Sequence, residues 1–330
     1  MPFFVPQLKN DGRLDQTHFT IANVGSRKLS SKDDYASNGW GLLAPNLTIY
    51  GFDADADACD AANADLAIRQ VNWTEKHIPM ALGAVPGEAT LHVTKHPMCS
   101  SLYSPNEPYL ARFAGLSEVM NEDFSIGLEI TTLDQVCQTE NIPAIDFLQT
   151  DVQGADLQVL KGATQALESS VLAIKVEVLF ASLYHDQPLF ADVDTYLRQQ
   201  GFTLFDLSAA YRSRARSPIQ SSVRTGQLLW GDGFYLRDLI QAGYDSPLKT
   251  PEQIFKLACI ADILEFPDYG LELLEYLTLN YGNDPTYNFA NMIVERLTQF
   301  PELVEQGLGS LPLITSIRDF VSGDALKLLS

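Results

Sequence analysis

The chain has few cysteines, no long apolar run and no basic leader segment. Its 330 residues include only 4 Cys, which lie far apart and form no C-x-x-C pair. This spacing argues against a disulfide framework and against a zinc site, and we expect no metal. No apolar run approaches the roughly 20 residues that a membrane-spanning helix needs, and the N-terminus lacks a signal-peptide pattern. These absences predict a soluble, cytoplasmic protein.

Basic residues are also scarce relative to acidic ones. The chain has 22 Lys and Arg against 42 Asp and Glu, so its formal net charge is −20. A surface with this charge repels phosphate backbones and anionic lipid headgroups. We therefore expect neither nucleic acid nor a membrane surface as a partner.

Between about residues 19 and 237, strand-like runs alternate with helix-forming runs. FTIANVG ends in Gly25, NLTIYGFD ends in Asp53, and the apolar VLAIKVEVLF is typical of a strand covered on both faces. HIPMALGA and EATLHVT (77–94) predict a strand pair around a turn, with the first of them ending at Leu82 and Gly83. The alternation predicts a mostly parallel α/β sheet.

The strand signals stop after about residue 245, and amphipathic helical patterns replace them. Apolar residues recur at helical spacing after Thr250, at Ile254, Leu257, Ala258, Ala261 and Leu264. We therefore predict an α/β domain over residues 1–245 and a small all-helical unit over residues 246–330. The helical unit could cover a substrate, form a homodimer, dock a partner or be a plain accessory bundle.

The ends of the first two predicted strands indicate a cofactor. Ligands of open α/β sheets bind beyond the carboxyl ends of the strands. Gly25 lets a ligand approach the backbone, and Asp53 can accept hydrogen bonds from both hydroxyls of a ribose. A G-x-G-x-x-G loop for a diphosphate is absent, since NVGSRKLSS supplies only the first glycine. This counts against an NAD-dependent oxidoreductase and less against S-adenosylmethionine, which has no phosphate.

Several motifs carry a resemblance to a known family. They are YGFDAD (50–55), MALG (80–83), SSLY (100–103), TLDQV (132–136), IDFLQTDVQGADLQVLKGA (145–163) and VEVLFASLYHDQPLFADVDTYLRQQGFTLFDL (176–207). Their order and spacing are similar to those of the FkbM-type methyltransferases, a family of class I S-adenosylmethionine-dependent methyltransferases. The resemblance implies a Rossmann-like fold with a mostly parallel seven-stranded sheet, helices on both of its faces, and S-adenosyl-L-methionine as cofactor. It also implies O-methylation of a hydroxyl on a sugar, a polyketide-like compound or another small polar metabolite.

The chain departs from the family pattern at a few positions. Gln153 stands where the family usually has glutamate, Asp156 replaces another glutamate, and Asn23 replaces the aspartate two positions before Gly25. The family's first motif is the loop that begins at Gly25, and its second glycine is not identifiable in SRKLSSKDDYASNGWG (26–41). These departures leave a second hypothesis open, in which the fold is catalytically silent and acts as a binding or scaffold protein.

The resemblance implies roles for the residues at the strand ends. Asp53 would bind both ribose hydroxyls, and it could otherwise be a solvated turn residue. Adenine would lie beside Ala81–Gly83, a segment that could equally be core strand. The predicted cofactor-binding set is Asn23, Gly25, Ser26, Asp53, Ala54, Ala81, Leu82, Gly83 and Ser101.

Asp151, Glu177 and His185 are the candidates for catalysis. Methyl transfer to oxygen needs alignment and a base for the hydroxyl proton. Asp151 ends a predicted strand and could be that base or a helix N-cap. Glu177 lies in an apolar strand, where it could face the substrate or pair with Lys175. His185 is a loop histidine that could accept a proton, although such histidines often have no function.

Overall fold

The computed structural model describes residues 1–28 and 39–329. Residues 29–38, which belong to the loop that begins at Gly25, therefore lie outside the described residues. The described chain divides into two compact units. One comprises residues 20–28 and 48–237, and the other comprises residues 1–19, 39–47 and 238–329.

Among the described residues, eight strands form the larger sheet. They are β1 (Phe19–Val24), β2 (Leu47–Asp53), β3 (Thr74–Pro79), β7 (Phe147–Thr150), β8 (Ala173–Leu179), β9 (Thr203–Leu207), β10 (Ala210–Arg212) and β11 (Gln227–Leu236). Their order is β10–β11–β8–β7–β1–β2–β3, and β9 pairs with β11. β7 runs parallel to β1 and β8, β2 runs parallel to β3, and β11 runs antiparallel to β8.

This order confirms the predicted class I methyltransferase fold. The chain builds the sheet outward from β1 to β3, then returns to place β7 on the other side of β1. The resemblance implied seven strands, and the additional one is the three-residue β10 at the sheet edge. Ligands of such sheets bind where the strand order reverses, which here lies between β1 and β7.

A second sheet corrects the predicted strand pair. Its strands β4 (Ala81–Leu82), β5 (Gly87–Thr94) and β6 (Glu122–Thr131) have the order β4–β6–β5. The prediction that β4 pairs with β5 was wrong, because the ten-residue β6 lies between them and bonds to both. The third strand of the large sheet also ends earlier than predicted, at Pro79.

Helices of the larger unit pack against a buried apolar core. They are α2 (Ala56–Arg69), α3 (Glu107–Leu110), α4 (Leu116–Met120), α5 (Leu133–Thr139), α6 (Asp156–Lys161), α7 (Thr164–Ser169) and α8 (Phe190–Gln199). The central strands β7 and β8 are buried almost throughout, as their continuous apolar sequences predict. This rigid core holds the carboxyl ends of β1 and β7 in place.

The other unit is helical. Its helices are α1 (Val5–Asn10), α9 (Pro251–Ile263), α10 (Pro267–Tyr281), α11 (Ala290–Leu297), α12 (Pro301–Gln306) and α13 (Pro312–Ile317). It contains the N-terminal residues as well as the C-terminal ones, because the buried carboxylate of Asp262 accepts the backbone N–H groups of Phe3, Phe4 and Val5 at 2.7–2.8 Å. No helix in the described ranges is both long and apolar enough to cross a membrane.

Candidate cofactor and catalytic site

The site begins where β1 and β7 end side by side. Gly25 has φ +83°, and a Cβ on it would lie 2.0 Å from the carbonyl oxygen of Asp151. The Asp151 N–H donates to the Val24 carbonyl at 2.9 Å, which ties the two strand ends together. Only glycine fits a position with this φ and this contact, so the packing of the two strand ends requires Gly25, and its predicted place beside a ligand stays a prediction.

A cavity of about 460 Å³ opens beside these strand ends. This volume is within the range of small-molecule sites, about 300–1,000 Å³. Seven residues of the predicted site line the cavity together: Gly25, Asp53, Ala54, Ala81, Leu82, Ser101 and Asp151. The sequence therefore identified strand ends that the fold brings into one concave surface.

Asp53 ends β2 and faces the cavity. Its Oδ1 accepts the backbone N–H of Asp55 at 2.9 Å. Burial raises the pKa of Asp53, while the Asp55 N–H and the Arg27 guanidinium act in the opposite direction. Arg27, which sequence reasoning did not select, also lines the cavity and pairs with Asp55 through Nη2 and Oδ2 at 2.7 Å.

Gln153 bridges two of the predicted catalytic carboxylates. Its Nε2 donates to Asp151 Oδ1 at 2.7 Å and to Glu177 Oε2 at 3.0 Å. The Tyr184 hydroxyl contacts Gln153 Oε1 at 3.0 Å, and Ser101 Oγ donates to the Gln153 carbonyl at 2.7 Å. The side chain of Gln153 is thus held at both ends, and it in turn orients both carboxylates.

Three carboxyl groups of this region have raised pKa values. Burial, followed by the charge of Asp151, raises the pKa of Glu177 well above its ordinary value and that of Asp156 to about 7. The depth of its position, together with the charge of Asp232, raises the pKa of Asp151, while the Gln153 amide opposes the shift. Asp151 nevertheless presents accessible surface to the cavity, whereas Glu177 and Asp156 are enclosed by protein.

The structure excludes one alternative role for each of the two acids. Asp151 is not an N-cap, because α6 begins at Asp156 and the N-cap position is Ala155. Lys175 forms its ion pair with Asp232 at 3.3 Å, while Glu177 bonds to Gln153. The carboxylate of Asp156 accepts the N–H groups of Val152 and Gly154, which stabilises the turn between β7 and α6.

Ser26 lies behind the cavity wall. It is buried, and its Oγ is 3.0 Å from His77 Nδ1. His77 Nε2 is 3.0 Å from Glu75 Oε1, and Glu75 also accepts from Trp73 Nε1 at 2.8 Å. Burial opposes ionisation of Glu75, but hydrogen bonds from His77, Lys28 and Trp73 lower its pKa to about 2. This buried network supports the loop that carries Gly25.

Four other predicted residues do not line the cavity. Glu177 reaches it only through Gln153. Asn23 Oδ1 is buried and has no hydrogen-bond partner among the described residues. Gly83 packs against Ile130, and its N–H bonds to a β6 carbonyl. His185 is exposed, and its backbone N–H bonds to Ser104.

Sequence reasoning missed an apolar wall. Leu91, Val93, Phe124 and Ile126, on β5 and β6, line the cavity together with Met98. Period-two alternation in TLHV and FSI was a signal for these side chains, but their position depends on how β5 pairs with β6. Within the described residues, no group of three or more His, Cys, Asp or Glu side chains could hold a metal ion.

A comparison with family models gives a match to part of the chain. Residues 45–204 match the family model of the methyltransferase FkbM domain. A search of curated proteins gave no match.

Solved structures of methyltransferases resemble the chain at low identity. One is a putative tRNA methyltransferase from Streptococcus pneumoniae, with 9% identity, 98% of this chain and 98% of that chain covered, and a TM-score of 0.34. Another is TrmK of M. capricolum with S-adenosylhomocysteine, with 8% identity, 97% of both chains covered and a TM-score of 0.34. A third is the N-terminal domain of EvdMO1 with S-adenosylhomocysteine bound, with 9% identity, 71% of this chain and 80% of that chain covered, and a TM-score of 0.33.

The raised pKa of Asp156 predicts a specific pH dependence of stability. The unfolded chain loses this proton near the ordinary aspartate pKa of 3.8, whereas in the folded protein the pKa of Asp156 is about 7. Between these values the folded state binds more protons, so the free energy of unfolding falls as pH rises, by at most about 1.4 kcal/mol per pH unit per proton. We expect Asp156→Asn to make this fall shallower in urea denaturation from pH 4 to 7.

Asp123→Asn is the control, because Asp123 is exposed on β6. This variant should follow the pH dependence of the unmodified protein. Equal slopes for Asp156→Asn and the unmodified protein would contradict the assignment of the proton to Asp156.

Proposed function

We propose that this chain, which matches the methyltransferase FkbM domain model over residues 45–204, methylates a hydroxyl oxygen of a sugar or another small polar metabolite. S-adenosyl-L-methionine is the cofactor of this domain. The observation that supports the proposal most strongly is the position of Asp151. Its carboxylate is accessible in the same cavity that Gly25 and Asp53 line, at the point where the strand order reverses.

The residues of the cavity fit this cofactor. Gly25 lines the cavity and would lie beside the amino-acid end of the cofactor, while its lack of a side chain is required by the approach of the Asp151 carbonyl. Asp53 would bond the ribose with the oxygen that Asp55 does not occupy. Met80, Ala81 and Leu82 offer the apolar contact that adenine needs. Bound there, the cofactor supplies an electrophilic methyl group.

Asp151 has the properties of a base for this reaction. It would accept the proton of the acceptor hydroxyl, and its raised pKa brings its basicity closer to neutrality. Two carboxylates in such proximity do not both ionise readily. Glu177, which is buried and does not line the cavity, would therefore keep the proton that the pair retains, leaving Asp151 ionised. Gln153 would hold Asp151 in the direction of the hydroxyl.

The hypothesis of a catalytically silent scaffold depended on the departures from the family pattern. One of them, Gln153, donates a hydrogen bond to each carboxylate, so it maintains the arrangement of Asp151 and Glu177. Asn23 leaves a buried oxygen without a partner among the described residues, and this observation favours neither hypothesis. The geometry therefore supports catalysis better than a silent role.

Net charge and the state of the cysteines support the expectations about the acceptor and the compartment. The net charge of −20 argues against a nucleic acid as the acceptor. All 4 cysteines are free thiols, which fits a reducing compartment such as the cytoplasm. A homodimer formed through the C-terminal helices stays a prediction.

Binding of S-adenosylhomocysteine tests the cofactor assignment. We expect the unmodified protein to bind it, with a stabilisation of about 2.7 kcal/mol when the ligand is at 100 times its Kd. Asp53→Ala should weaken binding about 10- to 100-fold, because hydrogen bonds to a charged group contribute about 1.5–3 kcal/mol. Isothermal titration calorimetry measures both affinities.

Asp60→Ala is the matched control, since Asp60 is exposed on α2 and does not line the cavity. Its affinity should equal that of the unmodified protein. Failure of the unmodified protein to bind at millimolar ligand would favour the scaffold hypothesis, and unchanged affinity in Asp53→Ala would remove Asp53 from the ribose site.

Asp151→Asn tests the base. We expect kcat to fall about 10²- to 10⁴-fold, the usual contribution of a positioned base, with S-adenosylhomocysteine affinity within twofold of normal. Transfer of a tritiated methyl group to a panel of sugars and hydroxylated metabolites measures turnover. A fully active variant would show that another group takes the proton.

Gln153→Glu tests the positioning role of the amide. The substitution removes both donated hydrogen bonds and adds a third acid between two others, so the pKa of Asp151 should rise further. We expect the acid limb of the pH–rate profile to move to higher pH, with a smaller displacement for the uncharged Gln153→Met. An unmoved profile in Gln153→Glu would show that the amide has only a structural role.

A further inference from the structure

Strands β5 and β6 form a ladder with two chemically different faces. Leu91 pairs with Ile126 and Val93 pairs with Phe124. Side chains alternate along a strand, so all four project from one face, and all four line the cavity. We name these four residues the apolar patch. The opposite face is polar, with His92 opposite Ser125.

Two side chains of the apolar patch are largely exposed. Phe124 is 52% exposed and Ile126 is 45% exposed. Contiguous apolar surface that faces solvent within a concave site marks a place where a ligand binds. Because these side chains line the cavity, a ligand inside the cavity would cover them.

Hydrogen bonds place the patch near the proposed base. His92, between Leu91 and Val93, exchanges backbone hydrogen bonds with Ser101 at 2.9 and 3.2 Å. Ser101 Oγ bonds to the carbonyl of Gln153, whose amide bonds to Asp151. A short chain of contacts thus connects the apolar patch with Asp151, where the acceptor hydroxyl would lie.

Ala81, which is proposed to contact adenine, lies too far along the small sheet for adenine to cover the apolar patch. Ala81 pairs with Ile130 on β6, four residues from Ile126 and six from Phe124. At about 3.3 Å per residue these separations are about 13 and 20 Å along the strand. A purine against Ala81 would leave Phe124 uncovered, so the patch needs a different occupant.

The charged residues of the cavity limit the charge of that occupant. Four aspartates line the cavity, at positions 53, 55, 57 and 151, and the Arg27 guanidinium is paired with Asp55. This lining repels phosphate and carboxylate groups on an acceptor. An uncharged molecule is therefore favoured over a sugar phosphate.

We propose that the methyl acceptor is an uncharged amphipathic molecule, with its hydroxyl group at Asp151 and an alkyl or ring body on the apolar patch. This inference rests on the proposed function and narrows its substrate class. The apolar patch then discriminates between acceptors, since a free sugar has no group that covers Phe124 and Ile126. The hydroxyl-bearing end can still be a sugar ring.

Calorimetry on the full chain saturated with S-adenosylhomocysteine tests the proposal. The two probes are glucose and octyl β-D-glucopyranoside below its micelle concentration. They share a hydroxylated ring and differ in an apolar tail. We expect the octyl glucoside to bind at least tenfold more tightly than glucose, a difference of about 1.4 kcal/mol. Glucose 6-phosphate should bind no more tightly than glucose.

Variants assign this preference to the apolar patch. The double variant Phe124→Ser with Ile126→Ser should lose the tail-dependent gain, at least tenfold. Ile68→Ser is the matched control, because Ile68 is 81% exposed on α2 and does not line the cavity. It should keep the gain. All variants should bind S-adenosylhomocysteine within twofold of the unmodified protein.

Equal or undetectable binding of the two glucosides to the S-adenosylhomocysteine complex would overturn the proposal and leave the proposed function standing. Loss of S-adenosylhomocysteine affinity in the double variant would also overturn it, since the patch would then belong to the cofactor site. Failure of the unmodified protein to bind S-adenosylhomocysteine would instead count against the proposed function.

Discussion

The contact between the ends of β1 and β7 is the constraint on which the site depends. The backbone at Gly25 passes so close to the Asp151 carbonyl that no side chain fits between them. This approach brings the turn after β1 and the acid after β7 to one edge of the sheet, although they are far apart in sequence. The cavity opens at this edge, where Gly25, Asp151 and Gln153 line it together.

The site also depends on how the protein stabilises the acidic side chains near this contact. Asp151, Asp156 and Glu177 lie close together, and burial raises the pKa of each. The protein stabilises them with neutral donors: Gln153 for two of them and backbone N–H groups for Asp156. Neutral donors orient a carboxylate without forcing it to stay ionised, as a cation would. Raised pKa values of this kind are common where a proton is moved.

The two sheets of the larger unit contribute different kinds of residue to the cavity. The large parallel sheet supplies the strand ends at Gly25, Asp53 and Asp151, which suit polar ligand groups. The smaller sheet supplies an apolar wall through β5 and β6. A molecule that uses both surfaces needs polar and apolar parts, so the pairing of the sheets bears directly on the choice of substrate.

Local patterns in the sequence determined the α/β fold and the residues at the strand ends. Alternating strand and helix signals predicted the α/β sheet, and Gly25, Asp53 and Asp151 were identified because strand ends can be read from short apolar runs. The resemblance of residues 145–163 to a known family supplied the cofactor, which the strand ends alone indicated only as an adenosine compound.

Only the tertiary structure decided the rest, because it depends on contacts between distant segments. β5 pairs with β6 and not with β4, so the apolar wall could not be assembled from the sequence. Gln153 reads as a departure from a pattern until its amide is seen between Asp151 and Glu177. Ser26 follows Gly25 directly, yet its hydroxyl turns to the buried His77 and away from the cavity. Side-chain direction and long-range pairing are set by packing, which no local pattern encodes.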